Sequence, residues 1–129
     1  YSHPLTVDEA AVNFPDVTFV IAHCGCPWIV DAAEVAAKNA NVCIDLSGLL
    51  EGKPKLLPVL EQQAGFWRQL HTWLAYMGDY SKVMYGSDWP LVNIPLYLRM
   101  ISYVIPDKQC EAVFYGNALR IFNKIGALL

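Results

Sequence analysis

Three short apolar segments of this chain each end in a polar residue and then a turn. They are residues 17–23 (VTFVIAH), 42–47 (VCIDLS) and 83–88 (VMYGSD). Nearly continuous apolar runs of this length are typical of strands in a parallel sheet covered on both faces. Helical connections between such strands make them parallel, so their C-terminal ends meet at one edge, where α/β proteins build active sites. We therefore expect His23, Asp45 and Asp88 to lie side by side.

The segments between these strands have helical patterns. Thr6 and Glu9 form a capping box before an apolar helical face, and Asp107 is expected to cap a helix that Gly116 and Asn117 break. Further helices are predicted from apolar periodicity at residues 28–38, 58–77, 95–104 and 118–124. The longest irregular stretch, 49–57, follows the second strand, where long loops often cover a site.

The resulting order, α-β-α-β-α-β-α-α, predicts an α/β protein with a parallel sheet. Three strands make a poor complete sheet, whereas a closed barrel of eight takes about 250 residues. The 129 residues are therefore expected to form a single partial domain. Because the chain starts with Tyr and enters a helical pattern at once, we interpret it as cut from a longer protein.

Composition excludes some classes of partner. The net charge is −3 with no basic patch, which gives a nucleic-acid role little support. No apolar run approaches the ~20 residues needed to cross a bilayer, so no membrane partner is expected. Cys24 and Cys26 form a C-x-C beside His23, but structural zinc sites offer two such pairs. We expect free thiols in a reducing cytoplasm.

Four segments in this order, FPDVTFVIAHCG, NVCIDLSG, KVMYGSDWP and YGNALRIF, give the chain its likeness to a known family. From about Phe14 to Phe122 it resembles the amidohydrolase-related family of metal-dependent hydrolases and decarboxylases. The resemblance implies a (β/α)8 TIM barrel with one or two divalent metals at its C-terminal mouth. This chain would be the C-terminal part, about strands six to eight, with parallel strands and flanking helices.

The resemblance also implies roles for two residues. His23 would bind a second metal or activate the hydrolytic water, and Asp88 would contact the catalytic metal and its water. Neutral imidazole is a good zinc ligand or base, and a carboxylate can take the proton of a metal-bound water. Zinc is the expected metal, with manganese as the alternative. The family's H-x-H on strand one has no match here, and His3 is interpreted as a loop residue and not as the strand-five ligand.

Each of these residues has a structural alternative. His23 could be a core histidine bonded to a backbone carbonyl, and Asp88 could cap the following turn. Three residues are weaker candidates for a substrate pocket, because they could equally stabilise turns or pack in the core: Asp45, Ser47 and Trp89. Three cations could meet an anionic substrate, of which the last two lie in a loop at the expected edge: Arg68, Lys53 and Lys55.

Three functions remain open from the sequence. The first is a hydrolase that directs a metal-activated water at a small amide, lactone or carboxylated substrate. The second is non-oxidative decarboxylation on the same scaffold. The third is a non-catalytic half-barrel fragment, lacking metal and activity, that self-associates into a homo-oligomer through its open sheet edges and exposed apolar face.

Overall fold

Residues 2–52 and 55–126 are described by the structure, a computed structural model, and three parallel strands form their centre. The strands are β1 (Phe19–Ile21), β2 (Val42–Asp45) and β3 (Val83–Met84), in the spatial order β1-β2-β3. Both neighbouring pairs are parallel. The expectation that all three strands end at one edge of the sheet is therefore confirmed, although each strand is shorter than its apolar run.

Helices fill most of the remaining chain. They are α1 (Pro4–Asn13), α2 (Ile29–Lys38), α3 (Leu56–Gln62), α4 (Ala64–Met77), α5 (Ile94–Ser102), α6 (Asn117–Ile121) and α7 (Asn123–Gly126). Between α5 and α6 the chain makes a 3₁₀ turn at Asp107–Gln109 and a π-helical turn at Ala112–Gly116. Within the described ranges, no helix has the length and apolar character to cross a bilayer.

The core lies on one face of the sheet. Alternate strand residues Ile21, Ile44 and Val83 are buried there, and α2 packs against both β2 and α4. The opposite face is covered unevenly, since Cys43 and Met84 are buried there but Val20 is only half buried. A sheet with one closed and one open face leaves the ends of its strands accessible from the open side.

Polar side chains hold the N-terminal edge of the sheet. Asn117 donates from Nδ2 to the carbonyls of Tyr80 (2.8 Å) and Val83 (2.7 Å). The Lys82 ammonium donates to the carbonyls of Ala36 (2.7 Å) and Asn39 (3.0 Å). These bonds tie the end of α2 and the segment that enters β3 to their neighbours, so side chains at this edge have a structural role.

Two predictions about helix boundaries are wrong. Thr6 does not start a helix, because α1 begins at Pro4, whose missing N–H suits a first turn; His3 is the N-cap, and its Nδ1 accepts from the Leu5 N–H at 3.3 Å. The helix predicted over 58–77 is two helices, because the chain turns at Gln63 (φ −107°, ψ 22°).

The C-terminal helices also differ from expectation. Gly116 and Asn117 do not break a helix, since both have helical backbone angles. Asp107 makes no side-chain cap. The interruption comes later, at Phe122 (φ −100°, ψ 65°), which separates α6 from α7.

Candidate active site at the C-terminal edge of the sheet

His23 follows β1 and Asp88 follows β3, so both lie beyond the same edge of the sheet. Both have left-handed backbone conformations, with φ of 57° and 60°. Cys24, with φ of 49°, is the other non-glycine residue of this kind in the described ranges. Such conformations cost about 1–3 kcal/mol each and persist where the surroundings enforce them, often at functional sites.

The His23 imidazole is held by the end of β2. Its Nδ1 lies 2.9 Å from Ser47 Oγ, and Ser47 Oγ lies 2.5 Å from Asp45 Oδ1. The same Asp45 oxygen accepts the backbone N–H groups of His23 (3.2 Å) and Ser47 (2.9 Å). Asp45 and Ser47 therefore stabilise a turn and at the same time connect β2 to His23. We call these three side chains the His23–Ser47–Asp45 chain.

Two glycines leave room for the His23–Ser47–Asp45 chain. A Cβ on Gly48 would fall 2.3 Å from His23 Nδ1 and 2.6 Å from its Cε1, so the imidazole packs directly against the glycine. A Cβ on Gly86 would fall 2.9 Å from the Cβ of Ser47. The glycines that follow β2 and β3 are thus required by the contacts that position His23.

Asp88 belongs to a turn in which its carbonyl accepts the Leu91 N–H at 3.0 Å. Its side chain is half buried, and no group in the described ranges donates a hydrogen bond to its carboxylate. The turn alternative for Asp88 would have needed a bond from its side chain. The carboxylate is instead available to a ligand.

A cavity of about 240 Å³ lies on the open face of the sheet. Asp45, Ser47 and Asp88 line it together, beside apolar Val20 and Met84. His23 lines a neighbouring cavity of about 350 Å³ that shares Val20 with the first. The structure thus brings three of the predicted residues into one cavity and places His23 next to it through Ser47.

The other candidates lie elsewhere. Trp89 lines neither cavity and is not packed against a helix, since 70% of its surface is exposed. Arg68 is exposed on α4, and Lys55 is exposed at the start of α3. Lys53 falls outside the described residues.

Tyr97 was not found by sequence reasoning. From α5 its buried hydroxyl donates to the Leu46 carbonyl and accepts the Leu49 N–H at 3.1 Å, so it holds the loop that carries Ser47. Burial is the main cause that raises the pKa of Tyr97, and the charges of Tyr85, Asp45 and Asp88 add to it. Tyr97 therefore stays neutral and acts as a structural anchor. The available signal was the polar hydroxyl of a tyrosine on the apolar face of α5, beside Met100 and Ile101.

The donor set for a metal is incomplete within residues 2–52 and 55–126, where no three His, Cys, Asp or Glu side chains cluster. His3 is engaged elsewhere, 3.4 Å from Asp31 and in ring contact with Trp28. Cys24 is fully buried, and burial raises the pKa of its thiol to about 12. All four cysteines are free. Beyond this edge lie the side chains of His23, Asp45 and Asp88, with Asp45 and Asp88 in one cavity and His23 in its neighbour.

The family and the solved structures that this chain matches agree with each other. Residues 1–124 match the family model described as Amidohydrolase. None of the curated proteins matches the chain significantly.

Three solved structures share the fold. An uncharacterized TIM-barrel protein from Bordetella bronchiseptica aligns over 98% of this chain and 41% of its own, with 20% identity and a TM-score of 0.68. An amidohydrolase from Burkholderia multivorans with bound zinc aligns over 93% and 49%, with 19% identity and a TM-score of 0.67. Amidohydrolase 2 from Bifidobacterium longum subsp. infantis aligns over 91% and 44%, with 21% identity and a TM-score of 0.58. The chain thus spans less than half the length of each.

Proposed function

The chain belongs to the amidohydrolase family, and on that premise we propose that it forms part of a metal-dependent hydrolase whose site includes His23 and Asp88. The observation that carries the proposal is their shared position beyond the C-terminal ends of parallel strands, each in a left-handed backbone conformation. We further propose that the three strands correspond to strands six to eight of a barrel.

The two donors suit a divalent cation. His23 Nε2 has no hydrogen-bond partner among the described residues, and imidazole nitrogen and carboxylate oxygen are both common zinc ligands. A bound cation of this kind lowers the pKa of its water towards ~7 and polarises a carbonyl. Asp88 would accept the proton of the attacking water, and His23 would bind a cation or hold the water in place.

The cavity suits a small substrate. Its volume of about 240 Å³ is below the range of pockets for drug-sized ligands, about 300–1,000 Å³. Its lining combines the polar groups of Ser47 and Asp88 with apolar Val20 and Met84. We propose a small amide, lactone or carboxylated compound as the substrate.

The first prediction concerns Asp88. Using a panel of small lactones, amides and carboxylated compounds, Asp88→Asn should lower turnover about 10²–10⁴-fold, the range for a lost general base, while the circular dichroism spectrum stays unchanged. Asp107→Asn, an exposed residue far along the chain from the site, is the matched control. Near-normal rates in Asp88→Asn would remove this residue from the mechanism.

The same panel separates the two chemistries that the family supports. Release of CO₂ without uptake of water would identify a decarboxylase, whereas ring opening or amide cleavage would identify a hydrolase. Dialysis against a chelator should abolish either activity and zinc should restore it. Full activity after chelation, with no metal found by elemental analysis, would contradict metal dependence.

A non-catalytic role is the alternative, and the incomplete donor set within the described residues favours it. On this alternative, copies of the chain associate through the open face and the free edges of β1 and β3. The four free thiols support a location in a reducing compartment such as the cytoplasm.

A further inference from the structure

The His23–Ser47–Asp45 chain contains more acceptors than donors, which decides where its hydrogens lie. Ser47 Oγ has one hydrogen and two polar neighbours, Asp45 Oδ1 at 2.5 Å and His23 Nδ1 at 2.9 Å. Asp45 Oδ1 accepts two backbone N–H groups, so it carries no hydrogen and can only accept from the serine. Two oxygens 2.5 Å apart need a hydrogen between them, and such short contacts are typical of a hydroxyl donating to a carboxylate.

The serine hydrogen is therefore committed to Asp45. Ser47 Oγ can then only accept from its second neighbour, so the hydrogen of the neutral imidazole must be on Nδ1 of His23. The lone pair is left on Nε2, which has no partner among the described residues. The opposite tautomer would place a lone pair of Nδ1 against a lone pair of Ser47 Oγ.

The ring is also fixed in orientation. Gly48 lies so close to the imidazole that even one added carbon would meet Nδ1 and Cε1. A ring flip would exchange Nδ1 for Cδ2 beside Ser47 and lose the bond. The backbone N–H of His23 is held by the same Asp45 oxygen, so one carboxylate sets both the main chain and, through Ser47, the side chain.

We infer that Ser47 and Asp45 are positioning residues that hold His23 in its Nδ1–H tautomer and leave Nε2 as the working atom. The meaning of this atom for catalysis rests on the proposed function, where Nε2 would face a cation or its water. Asp45 and Ser47 thus act through His23 and not only as turn residues or pocket lining.

The test is a long-range ¹H–¹⁵N correlation spectrum of the protein at pH 8 without metal, with the three histidines assigned by single His→Gln variants. His23 should show a protonated Nδ1 and an unprotonated Nε2. Ser47→Ala removes the acceptor, so the spectrum should move towards the Nε2–H form. Ser47→Thr keeps the hydroxyl and should restore the wild-type pattern. His71, which is exposed on α4, reports the unconstrained tautomer in the same spectrum.

The wild-type spectrum alone decides which nitrogen of His23 carries the hydrogen, so the test does not require that Ser47→Ala folds. An Nε2–H signal for His23 would contradict it, as would an unchanged spectrum in folded Ser47→Ala. The tautomer is measured independently of activity. An Nδ1–H tautomer in a protein without hydrolysis or metal binding would contradict the proposed function but agree with the positioning role of Ser47 and Asp45. In a zinc-binding protein, Ser47→Ala should weaken zinc affinity about 10–100-fold, as for other partners of ligating histidines.

Discussion

At the residue scale, the position of His23 depends on groups that lie far from it in sequence. Its backbone is left-handed, its N–H bonds to Asp45, and its ring lies against Gly48. Each of these features costs free energy or constrains a neighbour, and together they hold one imidazole in one orientation. Preorganisation of this kind is what a site residue needs in order to act without rearrangement.

Gly48→Ala tests this contact. The new Cβ would lie 2.3 Å from His23 Nδ1, and φ of +62° is itself unfavourable for alanine. We expect a loss of about 2–5 kcal/mol in the free energy of unfolding, from about 1–2 for the left-handed backbone and about 1–3 for overpacking. Urea denaturation measures it.

Gly78→Ala is the matched control, because Gly78 has φ of +74° but its Cβ would make only ordinary contacts at 3.8 Å. It should lose about 1–2 kcal/mol, from the backbone term alone. Equal losses in the two variants would show that the His23 ring is not held by Gly48.

The sequence predicted that His23 and Asp88 lie at one edge of the sheet, but it did not predict the hydrogen bonds that hold His23. The common edge for His23 and Asp88 follows from parallel strands alone, and the structure agrees. The bond between Ser47 and His23 joins residues 24 positions apart, which periodicity does not reveal. The spacing of Asp45, Ser47 and Gly48 was a usable signal, since Asp often bonds to the backbone two residues on.

At the element scale, the short strands rely on side chains for their placement. β3 has two residues, and the segment before it is held by Asn117 from α6. The α1 helix is tied to the end of α2 by Asp8, which accepts from Lys38 and Asn39. Each of these two contacts can be removed by its own single substitution.

Asn117→Ala should lower the free energy of unfolding by about 2–3 kcal/mol. The change removes two hydrogen bonds at a residue that is 5% exposed. The Tyr80 carbonyl keeps the Val83 N–H, whereas the Val83 carbonyl loses its side-chain donor, and a buried unsatisfied group costs about 1–3 kcal/mol. Asn13→Ala, at an exposed asparagine in α1, should change stability by less than about 0.5 kcal/mol. Similar small effects in both variants would contradict the anchoring role.

Asp8 gives a prediction on pH. Hydrogen bonds from Lys38, then from Asn39, lower the pKa of this carboxyl against a small opposing effect of burial. A lowered pKa in the folded state means that the stabilisation is complete above the unfolded value, about 3.9, and is lost as the pH falls through the folded value. Because Lys38 is 59% exposed, we expect only about 0.5–1 kcal/mol.

Urea denaturation at pH 7 and pH 3 measures this difference. Asp8→Asn should lose less stability between the two pH values than the wild type does. Asp16→Asn, at an exposed aspartate without a hydrogen-bond partner among the described residues, should follow the wild type. If Asp8→Asn kept the wild-type pH dependence, the pairing would not contribute.

The helix boundaries depend on packing that the apolar periodicity of the sequence does not predict. The apolar period runs through residues 58–77 without a break, yet the chain turns at Gln63. The turn lets α3 pack on α5 while α4 packs on α2, so tertiary packing overrides propensity here. His3 was similarly hidden, because its capping role depends on Pro4 supplying the first turn.

At the scale of the whole molecule, the sheet has one covered face and one partly open face. β1 and β3 each pair on one side within the described residues, and unpaired strand edges are templates for association. The chain covers 41%, 49% and 44% of the length of the three solved structures that share its fold. The open face is therefore the surface on which further structure or a second copy would pack.

Light scattering after gel filtration tests self-association of this chain. We expect a mass above that of one chain at micromolar concentration. Val20→Lys places a charge on the open face and should shift the mass towards the monomer, whereas Leu98→Lys, on the outer helix α5, should not. A clean monomer for the unmodified chain would contradict association.

Gly86, which follows β3, lies so close to Ser47, which follows β2, that the two positions cannot be substituted independently. Any side chain at position 86 would displace the serine, and through it the imidazole of His23, unless position 47 lost its own Cβ at the same time. An engineer who wishes to reshape this pocket must therefore redesign both strand ends as one unit. Libraries that vary either position alone should return few working clones.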